Sequence, residues 1–557
     1  MNDLKVPVGI SDFAKIRNYD YYYVDKTGLI EELLENETAE VALITRPRRF
    51  GKTMGMSMLA NFFDIRKDSK AMFAGLEISK NAALCKEWMN QWPVVFLSFK
   101  NIDGDKFSLA YQQMVYEIGL LYDSYSELLT SNKLSEDDKA LFLQLKRRTA
   151  NEIDVLRSIQ FLLSLLYKHY GKTVILLLDE YDVPLAKSSA HGYYPEMLNV
   201  IKSMMTTSLK DNNTLRFAVI TGCLRIAKES IFTGTNNFVS DTISSSHLNE
   251  YFGFTQADVD QILKDADCME HADDIKNWYD GYHFGNLDVY CPWDVMNYLR
   301  DLQRNPKAKP ASYWKNTSDN SIIRSFIDYA GHSISRKLEI LLSGSYILQR
   351  IEENLTYDYL HSSEENLWSI LYLTGYLTQA REEDLPEPLP EGSSALMIPN
   401  AEVREIFETT IQKWFDESAQ TWNRKALFDA VWSGDTETLT KEMNKLLRKT
   451  ISYHDYREDF YHAFLAGIFA GAGYEVDSNK EHGEGRSDVV VLDPEGDRVA
   501  IFEAKYSRTQ DAMPRDCAAA LQQIEDRQYA KEFEEDYDSI LCYGIAFYKK
   551  RCLVQTK

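Results

Sequence analysis

The sequence is short of everything that would place it in or beyond a membrane. Its longest apolar runs, "VILLL" at 174–178 and "FLLSLLY" at 161–167, fall well below the roughly 20 residues that a helical span needs. The opening stretch "MNDLKVPVGISDF" has neither a basic start nor an apolar centre, so no signal peptide is expected. Seven cysteines lie scattered at 85, 223, 268, 291, 517, 542 and 552, without a C-x-x-C pair. That spacing gives no disulfide framework and no zinc site, and reduced thiols in a cytoplasmic protein are the simplest reading. Positive charge is scarce as well. There are 62 Lys and Arg against 85 Asp and Glu, a net charge of −23. Proteins that coat nucleic acid are usually basic, so contact with it is expected to be local and transient. One more absence is local. The loop "TRPRRFGKT" (45–53) ends like the phosphate-binding motif G-x-x-x-x-G-K-[ST], yet Arg46 and Pro47 stand where its first glycine should be.

What remains is an ordinary globular composition, 44% hydrophobic and 26% charged over 557 residues, long enough for two to four cores. Four short apolar runs read as buried parallel strands: "VALIT" (41–45), "VVFLSF" (94–99), "TVILLLDE" (173–180) and "RFAVITG" (216–222). Helical patterns separate them, which implies an α/β domain with a mainly parallel sheet over about 1–250. Helical periodicity dominates 251–445. Within it, "LWSILYLTGYLTQAREED" followed by "ALMIPN" suits a winged helix, and a helical connector with a surface hairpin suits it equally. Residues 446–557 read as a small separate α/β domain in α-β-β-α-β order, opening on a helix at 456–473. There is no internal repeat.

The tripeptide Gly51-Lys52-Thr53 is common by chance, but its setting is informative. A buried strand runs into the loop and a helix starts at Lys52–Thr53, so backbone N–H groups and the helix N-terminus would face phosphate. Lys52 would reach the β- and γ-phosphates and the Thr53 hydroxyl would hold Mg²⁺. The run "VILLLDEYD" ends in Asp179, a candidate metal partner, and Glu180, a candidate general base; a strand ending in surface acids gives the same string. Thr221 is a candidate γ-phosphate sensor. Arg225 is a candidate phosphate contact, made directly or from a neighbouring subunit of a homo-oligomer; for both residues an ordinary strand end with a surface arginine gives the same string.

Several segments together resemble the AAA-ATPase-like family: "VPVGISDFAKIRNYDYYYVDKTGLIEELL" (6–34), "RPRRFGKT", "LLLDEYDVPL", "ITGCLRIAKESIFTGTNNF" and "WYDGYHFG" (278–285). Its members often join that domain to a C-terminal PD-(D/E)XK nuclease domain. The resemblance implies an AAA-like P-loop fold of the ASCE type, with ATP as cofactor. In that family an arginine commonly precedes the Pro-Arg-Arg-Phe-Gly-Lys segment, which makes Arg46 a shared feature. Arg48 and Arg49 would return positive charge near phosphate or pair with surface acids, and Phe50 completes the loop.

Near the C-terminus, "SDVVVLDPEGDRVAIFEAKYS" places Asp488 and Glu503 on two strands joined by a tight turn, with Lys505 on the face of Glu503. Two such carboxylates could share a divalent ion, Mg²⁺ or Mn²⁺, and the lysine could activate water or neutralise charge on phosphate. The resemblance adds Gln523 on the following helix, with Gln522 beside it, and Glu458 from the first helix as a further metal neighbour. Lys441, Lys445, Arg448 and Lys449 form a basic strip ahead of the domain; a solvated helix face has the same pattern. The reading is a Mg²⁺-dependent NTPase coupled to a nuclease acting on DNA or RNA. The alternative is a nucleotide-switched signalling or scaffold protein whose terminal domain binds nucleic acid without cutting it.

Overall fold

The computed structural model describes the chain apart from residues 1–3, 36–39, 226–237, 315–336, 339, 356–362, 387, 421–424, 451–460, 462–464, 467, 470–473, 479–480, 483–484, 535 and 550. The apolar runs form the strands β1 (Val41–Thr45), β2 (Val94–Ser98), β3 (Val174–Asp179) and β4 (Leu215–Gly222), joined by β5 (Phe238–Asp241). Their order is β2-β3-β4-β1-β5 and every pairing is parallel. Such a sheet must be covered on both faces. The intervening helices supply the cover, among them Lys52–Phe63, Phe107–Asp123, Ser158–Tyr170 and Tyr194–Leu209. β3 is buried at each of its positions, which accounts for its unbroken apolar sequence. Phe62 and Phe63 of the first of these helices pack with Ile44, Ile175, Leu177 and Val219 of the sheet. β4 separates β1 from β3, so the ends of the loop strand and of the Asp179 strand flank Thr221.

Further along, helices Gln256–Ala266, Ala272–Tyr279 and Pro292–Arg304 close on a core that includes Val259, Ile262, Ile275 and Leu299. The antiparallel hairpin β6 (Tyr282–Phe284) and β7 (Leu287–Val289) lies between the last two. Then come β8 (Ile347–Gln349), helix Glu364–Leu373, β9 (Thr378–Gln379) and β10 (Ser394–Met397). β10 pairs antiparallel with both β8 and β9, so a small three-stranded sheet accompanies this helix.

By internal packing the chain falls into two compact units, Met1–Ser318 with Tyr346–Glu405, and Asp319–Ser345 with Ile406–Lys557. All elements above belong to the first. The second holds β11 (Glu475–Ser478), the short ribbon β12 (Glu481–His482) and β13 (Gly485–Arg486), then β14 (Val489–Asp493), β15 (Arg498–Tyr506), β16 (Ser539–Tyr548) and β17 (Arg551–Thr556). Five of these make one sheet in the order β11-β14-β15-β16-β17. Only β15 and β16 run parallel within it. Side chains alternate across the sheet. Val489, Val491, Ala500 and Phe502 pack with Leu427 and Leu439 from helices Lys425–Ser433 and Thr436–Thr450. Val490, Val499 and Ile501 pack with Ile524 of helix Met513–Asp526. The helix expected over 456–473 lies largely outside the described residues.

Candidate functional site

The loop after β1 is held by its first half and left open in its second. Arg46 is fully buried, with its guanidinium 2.5 Å from the Asp241 carboxylate. It also donates to the backbone carbonyls of Thr45, Asp241 and His247 and to Asn249 Oδ1. The rings of Phe252 and Phe284 lie within cation–π distance of it, at 5.5 and 5.7 Å. Pro47 sits under Gly375, whose backbone has φ +87° and where a Cβ would come within 2.8 Å of the proline ring. The buried Phe50 ring packs edge-on against Tyr282 and tilted against Phe284, so that side chain serves packing. Arg46 is therefore a strut beneath the loop.

Arg49, with φ +74°, lies over the rings of Trp293 and Trp314 and donates to the Tyr313 carbonyl. Glu402, which the sequence reading did not single out, fixes that neighbourhood by accepting the backbone N–H groups of Tyr313 and Trp314 at 2.5 and 2.8 Å. Asp294 lies beside it. Burial holds both carboxyls above their ordinary range, and Asp294 pushes Glu402 further up.

The second half of the loop turns through Gly51 in the left-handed region, φ +88°, and starts helix Lys52–Phe63 without any side-chain cap. Lys52 is 4% exposed and donates to the carbonyls of Arg46 and Pro47 at 2.8 and 2.9 Å. Thr53 Oγ1 donates to Asp179 Oδ2 at 2.9 Å, and Thr221 Oγ1 to Asp179 Oδ1 at 2.7 Å. Ser98, at the end of β2 and opposite Asp179 in register, donates to the same carboxylate at 3.3 Å. The serine closing "VVFLS" was the sequence signal for this further partner. Glu180 follows with φ +52°, unusual for a residue with a side chain. Its carboxyl is raised above the usual range, first by burial and then by Asp179 and Asp182, against the opposing pull of Lys52 and Arg48. Arg49, Phe50, Gly51, Lys52, Thr53 and Glu180 all line one cavity of about 340 Å³. Arg225, beyond the end of β4, does not line it.

These residues fit a magnesium nucleotide. An uncapped helix start with a lysine inside it is an anion site. Among the described residues no group of three or more His, Cys, Asp or Glu side chains could hold a metal ion. Magnesium takes one or two protein oxygens and completes its shell with water and phosphate, which Thr53 and Asp179 can satisfy.

In the second unit the hairpin of β14 and β15 brings Asp488 beside Glu503. Asp488 Oδ2 accepts the Ala504 N–H at 2.7 Å, while the Lys505 ammonium lies 2.9 Å from Glu503 Oε1. Glu503 is 1% and Asp488 9% exposed. Two shielded carboxylates with an adjacent ammonium fit a divalent ion and a phosphodiester. Gln523 lies on the helix covering the Glu503 face, and its amide donates to the Tyr529 hydroxyl at 3.4 Å. Gln522 donates to Asp526 instead. Glu458 lies outside the described residues.

A parallel sheet, a lysine–threonine loop at its edge and an acid pair on a non-adjacent strand define a P-loop NTPase domain, here joined to a carboxylate–lysine hairpin domain. Residues 7–232 match the family described as predicted AAA-ATPase, and residues 456–557 match the PD-(D/E)XK nuclease superfamily. The chain thus carries an AAA-ATPase-like domain and a C-terminal PD-(D/E)XK superfamily domain. It is also 26% identical to an uncharacterized protein in the vnfD 5′ region of Azotobacter chroococcum mcd 1, over 98% of this chain and 97% of that one.

Proposed function

We propose that the first unit hydrolyses ATP with Mg²⁺, and that nucleotide turnover gates a metal-dependent phosphodiesterase in the C-terminal domain acting on DNA or RNA. The observation that carries this reading is the network joining Thr53, Asp179 and Thr221 beside a Glu180 whose backbone and carboxyl are both held away from their ordinary states. Lys52, Arg48, Arg49 and the loop backbone from Phe50 to Thr53 bind the phosphates. Thr53 and Asp179 hold the metal, which when bound neutralises charge on the phosphoryl oxygens. Glu180 takes the proton of the attacking water, helped by its raised affinity for it. Thr221 fixes the carboxylate of Asp179. Arg225 approaches phosphate from a neighbouring copy in a homo-oligomer. In the C-terminal domain Asp488 and Glu503 hold Mg²⁺ or Mn²⁺, Lys505 activates water, and Gln523 and Glu458 complete the site.

The corresponding division is 1–250 for the ATPase, 251–445 for the helical and wing region and 446–557 for the nuclease, in a cytoplasmic setting with transient nucleic-acid contact. The test is an ATPase assay beside a nuclease panel on wild type, Lys52→Ala and Asp488→Ala. Lys52→Ala should lose ATP binding. Asp488→Ala should lose cleavage and keep ATPase activity. A wild type that turns over ATP yet cuts no DNA or RNA in any nucleotide state, with Mg²⁺ or Mn²⁺, overturns the nuclease half.

A further inference from the structure

Two residues of the run "LLLDEYD", Tyr181 and Asp182, are buried directly after Glu180, yet neither lines the cavity at the phosphate loop. Asp182 stands at the N-cap position of helix Val183–His191. An aspartate there ordinarily accepts an N–H from the first turn of its own helix. Among the described residues no side-chain bond caps this helix. The carboxylate reaches instead to the end of β4, where Oδ2 accepts the N–H groups of Cys223 and Leu224 at 3.0 and 3.1 Å.

Tyr181 fastens the same two segments. Its N–H donates to the Thr221 carbonyl at 3.1 Å, and its hydroxyl donates to the Leu224 carbonyl at 2.8 Å. Gly222 leaves the room for this: a Cβ there would stand 2.7 Å from both Asp182 Oδ1 and the Tyr181 ring. On the other side of Glu180, Asp179 is held by the hydroxyls of Thr53 and Thr221. Glu180 is the residue between these two anchors, and it takes φ +52°. That backbone is unfavourable for a residue with a side chain and persists only where the surroundings impose it. A buried carboxylate accepting two N–H groups is a strong tie of the kind required.

We propose that Asp182 and Tyr181 are positioning residues for ATP hydrolysis, whose clamp on the end of β4 imposes the backbone that presents the Glu180 carboxyl to the cavity. The inference rests on the assignment of Glu180 as general base above. A clamp that does not line the cavity acts on the rate through the base and leaves phosphate binding alone, since small misplacements of a catalytic group are felt mainly in the chemical step.

ATP hydrolysis by the full chain, titrated with Mg·ATP, separates kcat from KM. Asp182→Ala should lower kcat at least about tenfold and leave KM within about twofold of wild type. In a Glu180→Gln background the same substitution should bring no further loss, because a residue that acts only through the base has nothing to act on once the base is gone. A merely structural clamp would bring the same loss in both backgrounds. If Asp182→Ala is unfolded by circular dichroism, Tyr181→Phe carries both measurements: it keeps the ring, removes only the bond to Leu224, and should lower kcat several-fold with KM unchanged. An unchanged kcat in the folded variant, a KM that rises in step with the loss of kcat, or an equal loss in the Glu180→Gln background overturns the clamp and leaves the ATPase reading standing. A wild type that does not turn over ATP overturns both.

Discussion

Arg46 occupies the place where a phosphate loop ordinarily has a glycine, and its surroundings explain how the exchange is tolerated. A glycine there gives the turn freedom. Here freedom gives way to fixation: a buried ion pair to Asp241, four further acceptors, and aromatic faces on two sides. Removing one member of such a pair leaves the other charge buried and uncompensated, at a cost of about 3–5 kcal/mol. Arg46→Ala should therefore lower the unfolding midpoint sharply. Restoring the motif with Arg46→Gly should do the same, which a direct phosphate ligand would not require; thermal denaturation of the nucleotide-free chain reads both. Glu180 leads to a prediction of the opposite kind. Its carboxyl is held above the ordinary range by burial, so the protonated, inactive form persists to higher pH than for an exposed glutamate. The acid limb of the ATPase kcat profile should lie above the usual carboxylate range and vanish in Glu180→Gln. That variant should lose at least about 10²-fold in kcat while still binding ATP. An acid limb at an ordinary glutamate position would argue against Glu180 as the base.

Elements meet at the loop through packing that the local sequence does not announce. Pro47 lies against Gly375, in the turn between helix Glu364–Leu373 and β9, and the Phe50 ring lies against β6. Gly375 has φ +87°, and an added Cβ would stand 2.8 Å from Pro47 and 3.2 Å from Trp314. Gly375→Ala should thus both destabilise the first unit and weaken nucleotide binding, because the clash is relieved by pushing the loop. A drop in thermal stability with unchanged ATP affinity would show that the Gly375 turn does not position the loop. This contact also marks the limit of what could be read from residues alone. β1 to β4 were legible because strands buried on both faces must be continuously apolar. Edge strands carry no such demand: β2 also borders its sheet and was legible only because its sequence is apolar, whereas β5 is a four-residue "FVSD" with Val239 48% exposed, and β11 and β17 border theirs. Lys52, Thr53, Asp179 and Thr221 could be placed from strand–loop–helix order, and Asp488 and Glu503 from the short turn between two strands. The role of Arg46 could not, since its ionic partner lies 195 residues away on a strand with no signal of its own.

At the scale of the whole molecule, each site is assembled within one compact unit. Lys52, Asp179, Glu180 and Thr221 belong to the first, and Asp488, Glu503 and Lys505 to the second. Each unit has its own core, so chemistry at one site should survive loss of the other. Coupling between them, if turnover gates cleavage, must then take the form of a free energy. When a gate acts through binding, linkage requires reciprocity: if ATP changes affinity for nucleic acid by some factor, nucleic acid changes affinity for ATP by the same factor, commonly about 5–150-fold. Asp488→Asn keeps the shape of the carboxylate while preventing cleavage, so equilibrium can be reached with an intact oligonucleotide. Mg·ATP affinity of the Glu180→Gln/Asp488→Asn double variant should shift on adding saturating oligonucleotide, and the oligonucleotide affinity should shift equally on adding ATP. Glu180 and Asp488 belong to different units, and each replacement keeps the shape of the side chain it removes, so neither should create the effect. Equal, non-zero shifts establish the gate as an equilibrium property of the chain. The absence of a shift in either direction, with both ligands bound, would confine any dependence of cleavage on ATP to the hydrolysis step itself.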